Sequence, residues 1–413
     1  MRKLIIITAL LLLNSPVFAQ NYDLRGNVRS WIKNYTHDPQ DQGLMETKVK
    51  LELLSAFGEN SAFRVKSYYT YDGLTKVSDW NFQEAYIDLY YDWMDLRIGK
   101  QLIAWGKADE LNPTDILNPQ DLSNLTEEKH IRKIGLTMIK SRFFIGDNTL
   151  TLVWKPEFDH NRFAFDNPRL SVIPLAAFSS VAPNLPENEI DKTEWAVKWE
   201  RTFGYVDVSA SYFDGWDNIF TPVFSYDLWG APHLDGLVFS RTKMYAADFA
   251  GSFSSVGLWG EAAYFHTSDS EGIDPFVKNP YFQMVLGTDY NFANGIKINF
   301  QYFSEFLTKV DNQVEREMEE AIISRLGLGL PIRKAVSSRI GKNFGESEQH
   351  SLEIMSIFDV EDSGYLLQPK IKYSPEDALV FEIGFAVFGG EIGSLFGRFG
   401  KNDEVYLKTT YSF

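Results

Sequence analysis

The chain has 413 residues and no cysteine, with 40 Lys plus Arg against 56 Asp plus Glu. Its formal net charge of −16 argues against a nucleic-acid partner, whose phosphates need a basic face, and without cysteine there is neither a disulfide framework nor a thiolate metal site. Aromatic residues make up 15% of the chain, including 20 Tyr and 32 Phe, a load that interfacial girdles require and that a soluble enzyme rarely carries.

The first element in chain order is a leader. Arg2-Lys3 is a short positive region, and Leu4 to Leu13 is an apolar run with Thr8 as its one polar member. Asn14-Ser15-Pro16 breaks the run, and Val17-Phe18-Ala19 sets small residues before a cut between Ala19 and Gln20. This is the pattern of a secretory signal peptide over residues 1–19. The run is too short to span a bilayer as a helix, and no later stretch approaches twenty apolar residues. Membrane crossing, if any, must be by strands in a closed barrel. Residues 20–413 carry no internal repeat, low-complexity tract or linker and read as a single domain.

Segments of about ten residues then alternate in polarity. Met45, Thr47, Val49, Leu51 and Leu53 interleave with Glu46, Lys48, Lys50 and Glu52. Ala85, Ile87 and Leu89 interleave with Glu84, Tyr86 and Asp88. The same period of two recurs at 194–200, 296–302 and 379–385. In a sandwich the apolar face would be core; in a membrane barrel it faces lipid and the charged face a wet lumen.

Short turns are expected at 58–60, 91–93, 146–148, 203–204, 254–255, 294–295, 345–346 and 374–377. Longer loops fall between them, near 36–43, 72–80, 106–131, 157–191, 215–240, 268–279, 308–334, 360–363 and 389–402. The fold class this predicts is all-β: a transmembrane antiparallel β-barrel of about 18 strands, or else 16. Both chain ends should share one side, so the count must be even, and 18 requires a weak strand near 335–344. Such a barrel leaves an aqueous channel. The prolines at 174, 183 and 186 argue against strands there. Residues 312–327 read as a helix with an Asn312/Glu315 capping box and Gly327 as its stop, packed on an outer loop or plugging a channel mouth.

The most distinctive stretch is Arg97-Ile98-Gly99-Lys100-Gln101, then Trp105-Gly106, then Asn112-Pro113-Thr114-Asp115 and Asn118-Pro119-Gln120-Asp121. Asn before Pro favours a turn and Asp caps one, so two tight turns are expected in the third long loop. Over about 25 residues this stretch resembles a little-characterised family of Gram-negative porin-like proteins that carry R-x-G-R/K-Q, W-G and N-P-x-D at similar spacing. The resemblance implies that the third loop folds inward and narrows a pore, with Asp109, Glu110, Asp115 and Asp121 at the constriction.

Alternation independently sets Lys48, Lys50, Arg64, Lys66, Arg97, Gln101, Lys370 and Lys372 on the lumen wall. Acid on the loop opposite base on the wall would set up a field across the channel. Against this stands the plainer reading that these charges pair locally and solvate a wet interior. On the same register Lys100 faces lipid, unless a bulge shifts it or it lies near an interface. Trp31, Trp80, Trp93, Trp105, Trp154 and Trp199 lie near strand ends and read as girdle anchors.

The six histidines form no His-x-x-x-His or Glu-x-x-His cluster. No catalytic residue, metal site or cofactor is assigned. The alternatives to a porin-like channel for small solutes are a barrel enzyme of lipase or protease type, with His266-Thr267-Ser268-Asp269 at a rim, and a surface receptor or adhesin. The last strand, Val405 to Phe413, alternates with Val405, Leu407, Thr409, Tyr411 and Phe413 on one face. It resembles the C-terminal signature of Gram-negative outer-membrane barrels. That resemblance implies Tyr411 and Phe413 as the signal read by the barrel assembly machinery, and the outer-membrane lipid as surroundings.

Overall fold

The computed structural model describes residues 22–37, 42–124, 126–163, 169, 183–186, 189–226, 232–273, 277–309, 332–391 and 393–413. The leader and the helix expected at 312–327 lie outside them. In chain order the strands are β1 Tyr22–Tyr35, β2 Gln42–Ala56, β3 Ser61–Asp72, β4 Ser78–Tyr91, β5 Met94–Gln101, β6 Leu136–Ile145 and β7 Asn148–Lys155, then β8 Pro183–Asn184. After these come β9 Glu194–Phe203, β10 Val206–Trp216, β11 Thr221–Tyr226, β12 Pro232–Val238, β13 Arg241–Phe253, β14 Val256–Thr267 and β15 Tyr281–Asn291. The chain finishes with β16 Ile296–Leu307, β17 Lys334–Phe344, β18 His350–Asp359, β19 Tyr365–Glu376, β20 Leu379–Gly389 and β21 Glu404–Ser412.

All but β8, β11 and β12 form one 18-stranded sheet in which chain neighbours pair antiparallel. β1 pairs with both β2 and β21, so the sheet closes on itself and no edge is left. The strand near 335–344 is there as β17, bonded to β16 and β18 along its length. The eight expected turns all fall at one end of the barrel. Five of them hold just two residues, and in two of these Gly146 and Gly204 take φ 56° and 60°, the left-handed region that glycine reaches without steric cost.

Alternation sorts the faces as the sequence predicts. Ile87, Ile98, Ile340, Leu352, Ile371, Ile383 and Leu407 are exposed on the outer surface. Their charged neighbours point inward. Exposed aromatics gather at the turn end: Tyr91 and Trp93, Phe203 and Tyr205, Phe253, Phe292 and Phe344. At the seam, the backbone of Phe413 exchanges two hydrogen bonds with Gly26, at 2.8 and 2.9 Å. A Cβ on Gly26 would stand 2.5 Å from the Phe413 ring and 2.7 Å from the Lys50 carbonyl oxygen, so only glycine fits there.

Two expectations about loops fail. Pro183 opens a two-residue strand that pairs parallel with Leu237 and Val238; at the first residue of a short edge strand the missing N–H costs nothing. The loop read as 215–240 contains a hairpin, β11 with β12. Phe220, Leu237 and Phe239 bury a small core under it.

Candidate functional site

Residues 102–135, between β5 and β6, run across the barrel interior. Apolar side chains account for one side of this path. Ile103, Trp105 and Leu117 pack against inward-facing Met138, Val153, Ala196, Phe213, Met244 and Ala263. Ala108 and Leu111 pack against the cluster built on Trp259, Val285, Phe303 and Ala335. Burying a leucine-sized side chain stabilises by roughly 1.5–3 kcal/mol, so this face alone favours the inward path over one in water.

Polar wall residues fix the position. Glu261 of β14 accepts hydrogen bonds from the backbone N–H of Lys107 and Ala108, both at 2.5 Å, and from the Thr114 hydroxyl at 2.9 Å. Gln301 of β16 accepts from the Asp109 N–H at 3.1 Å and donates to the Leu111 carbonyl at 2.8 Å. Arg339 of β17 donates to Glu110 at 2.9 Å and lies 3.3 Å from Asp109. On the opposite wall Arg29 of β1 donates through two nitrogens to Glu127, at 2.8 and 2.5 Å, and to Glu46 at 2.8 Å. Burial pushes the Glu127 carboxyl up, but the Arg29 bonds and charge, with Lys48 and Lys408 behind them, more than offset it and hold the group at about 2. The only described helix in the segment, α1 Lys129–Arg132, adds Lys129, which donates to the carbonyls of Asp109 and Glu110 at 2.8 and 3.2 Å. Burial draws the Lys129 ammonium down, against the pull of Asp115 and Glu110.

The twin Asn-Pro-x-Asp units do different work. In the first, the Asn112 side chain accepts from the Thr114 N–H at 3.1 Å, as a tight turn requires. The second is not such a turn. Its Asn118 is 1% exposed and bridges the two stems of the loop, accepting from the Ile103 N–H at 2.8 Å and donating to the carbonyls of Gln101 and Ile134 at 3.1 and 2.9 Å.

Of the four loop acids, Asp109, Glu110 and Asp115 line an interior cavity of about 620 Å³. Asp115 is held by Lys133 at 2.6 Å, within the same loop. Asp121 is away from that cavity, capping Ser123 at 3.0 Å. Lys370 and Lys372 line the same cavity from the wall, paired with Glu353 at 2.8 Å and Glu382 at 3.3 Å. Lys48, Lys50 and Lys66 line a second cavity below it. Arg64 and Arg97 lie toward the turn end, Arg64 on Glu52 at 2.6 Å and Arg97 on Asp88 at 2.7 Å, its guanidinium 3.8 Å from the Tyr86 ring centre. Gln101 faces inward but is sealed under the loop, donating to the Met138 carbonyl at 2.9 Å. Lys100 sits opposite Ala85 and Thr137 with Gly99 beside it at φ 130°, and a bulge offsets β3 from β4 nearby.

Two girdle assignments are corrected. Trp31 is 1% exposed and Trp105 2%. Trp31 lies inside the barrel among Arg29, Lys33 and Lys408, whose charges stand 5.1, 5.5 and 4.5 Å from its ring centre; Trp105 is part of the loop's apolar face. Trp80 and Trp93 are exposed. His266 shares the outward row of Tyr264, and among the described residues its ring has no carboxylate partner. Sequence reasoning missed Arg29, Glu127, Lys129, Glu261, Gln301 and Arg339. The one available signal was alternation, which puts Arg29, Gln301 and Arg339 on inward rows.

No protein-family model matches the chain, and no curated protein sequence matches it. Solved structures do. It superimposes on Pseudomonas aeruginosa OccK5 (OpdH) with a TM-score of 0.57 at 10% identity, over 96% of this chain and 99% of the other. For Acinetobacter baumannii OccAB2 the TM-score is 0.56 at 11% identity, over 97% and 99%. For Pseudomonas aeruginosa OccD3 (OpdP) it is 0.55 at 8% identity, over 96% and 92%. The closed antiparallel barrel of 18 strands is therefore the fold of outer-membrane porins.

Proposed function

We propose that the mature chain is an outer-membrane channel through which small solutes diffuse, narrowed by the loop at 102–135. The observation that carries this reading is the loop itself. It is bonded to inward-facing side chains of β1, β14, β16 and β17, yet leaves a polar cavity of about 620 Å³ against the wall. A loop docked at both walls with a charged gap beside it is what a selective passage needs; a sealed plug would leave no gap. The outward apolar band and the aromatic ring at the turn end support a lipid setting, with the turns on the periplasmic side. Residues 1–19 would direct export, and Tyr411 and Phe413 would complete the closing strand that the assembly machinery reads.

Selectivity in this reading belongs to pairs more than to single charges. Asp109 and Glu110 oppose Arg339, and Asp115 opposes Lys129 and Lys133. Neutralising Asp109, Glu110 and Asp115 should therefore shift the passage toward anions, because it also releases those cations. Deleting residues 109–121 should raise single-channel conductance in planar bilayers. If a folded, heat-modifiable protein gives no conductance step, or the deletion leaves the step unchanged, the loop does not limit a channel.

A further inference from the structure

Both Asn-Pro-x-Asp units converge on a smaller cavity, of about 220 Å³. Asn112, Pro113 and Asp115 of the first unit and Asn118 and Gln120 of the second form one wall. Phe213, Thr242, Phe265, Tyr281 and Gln283 form the facing wall. They stand near the ends of β10, β13, β14 and β15 that lie opposite the short turns. Asn161, Asp217 and Asn218 complete the lining. Phe213, Phe265 and Tyr281, with Ile116 against them, also belong to the apolar cluster that packs the loop onto this side of the barrel. The cavity therefore has a closed floor. Asn112 and Asp115 border both it and the 620 Å³ space, so it lies beside the proposed passage and not in it.

The chemistry of the two spaces differs. Arg132, Lys133, Arg339 and Lys370 line the larger one, whereas the smaller has no Lys, Arg or His among its described lining residues. Of its two carboxylates, Asp115 is held by Lys133 at 2.6 Å. Asp217 accepts from the Ile219 N–H at 2.9 Å and has no ion pair among the described residues. Asn218 donates to the Ile116 carbonyl at 2.8 Å, and its Oδ1 is buried without a partner among the described residues. Native structures leave few such atoms unbonded, and a hydroxyl at the cavity edge would relieve this one. Gln283 donates to Glu305 at 2.6 Å, which leaves its oxygen to accept. Asn161 accepts from the Gln120 N–H at 2.7 Å, which leaves its amide nitrogen to donate. The Gln120 side chain and the Tyr281 hydroxyl can do both. An ammonium would use only the acceptors and a carboxylate only the donors; neighbouring hydroxyls use both. Ring surface beside a few placed polar groups is the usual make-up of a small-molecule site.

We propose that this cavity binds a neutral sugar ring, with Asp217 as its principal acceptor and the wall of Phe213, Phe265 and Tyr281 against its C–H face. The mature chain is folded in lauryldimethylamine oxide micelles, since glycoside detergents would compete. It is titrated with glucose, galactose and mannose by saturation-transfer difference NMR. Saturable transfer to at least one of the three is expected, and neither succinate nor butylammonium should displace it. Asp217→Asn keeps an acceptor and should keep the binding. Asp217→Leu should weaken it about tenfold or more, the scale of one hydrogen bond to a charged group. Gln120→Leu removes a side chain that makes no hydrogen bond among the described residues, and should weaken binding about threefold. Heat-modifiable mobility confirms that each variant is folded. No transfer to any of the three sugars, or binding unchanged in folded Asp217→Leu and Gln120→Leu, overturns the site. Loss of binding in Asp217→Asn together with displacement by butylammonium assigns the cavity to cations and overturns the sugar. In bilayers a saturating sugar should leave the ion current unchanged, and a block would put the sugar in the passage and overturn the placement. Sugar binding by a folded protein that gives no conductance step would leave this site standing and remove the channel.

Discussion

The Arg29–Glu127 bond offers the sharpest handle on the loop, and the perturbation is Glu127→Gln. Both side chains are almost fully buried, 8% and 6% exposed, so solvent screening discounts little. Removing one partner of a buried ion pair typically costs 3–5 kcal/mol. Arg29 keeps Glu46 at 2.8 Å, which places this case near ~3 kcal/mol. Linkage gives a second route: a carboxyl held at about 2 against an ordinary 4.5 corresponds to about 3 kcal/mol favouring the charged, docked form. A loss of that size raises the local opening equilibrium about a hundredfold. Hydrogen exchange followed by mass spectrometry on micelle-folded protein should show it in the segment 122–134, with β9 and β10 unchanged. Glu127→Ala should exceed Glu127→Gln, because glutamine keeps one acceptor for Arg29. Glu59→Gln, in an exposed turn, serves as the control. Exchange in 122–134 that is no faster in Glu127→Gln than in wild type would refute the claim that this pair holds the loop down.

Acid should act through the same carboxyl: a depressed value means the stabilisation is intact above about 4.5 and is lost as pH falls toward about 2, so exchange in 122–134 should rise over that window in wild type and stay flat in Glu127→Gln. Gly26→Ala drives a methyl into the Phe413 ring and the Lys50 carbonyl and should lower barrel stability by roughly 1–3 kcal/mol, the usual cost of overpacking, read as a lower temperature of the heat-modifiability transition. Glu261→Ala strips the acceptor from the backbone N–H groups of Lys107 and Ala108, each costing about 1–3 kcal/mol when left unpaired; single-channel traces should become noisier, and traces as quiet as wild type would count against the Glu261 anchor. Tyr411→Asp and deletion of Phe413 should each reduce the folded fraction recovered in outer membranes, and undiminished recovery would remove the closing-strand role of both residues.

The barrel was legible because strands that are apolar on the outer face and charged on the inner one carry their orientation in every second residue. Even β17, weak in its own pattern, followed from the even count that the chain ends impose. The loop was legible only in part. Asp109, Glu110 and Asp115 could be singled out as charge in an unusual stretch, but their partners could not. Arg339 lies more than two hundred residues away, and Arg29 meets Glu127 across 98 positions. Trp31 and Trp105 were misread because a tryptophan near a strand end looks the same whether its ring meets lipid or the interior; only three-dimensional neighbours separate the two. Asn118 was misread because an Asn-Pro pair favours a local turn, whereas burial between two loop stems offered its amide three long-range partners.

One of the loop's attachments lands on β1, the strand that also closes the seam with β21. Lys408 of β21 adds its charge to those of Arg29 and Lys48 around Glu127, so the positive surround of that carboxyl is complete only when the first strand has met the last. Contacts this distant in sequence form late, since the entropy of closing the intervening chain must be overcome before they contribute. Sealing the cylinder and seating the segment inside it thus become a single cooperative event, and a cylinder left unzipped along β1 would also be one with its interior unguarded.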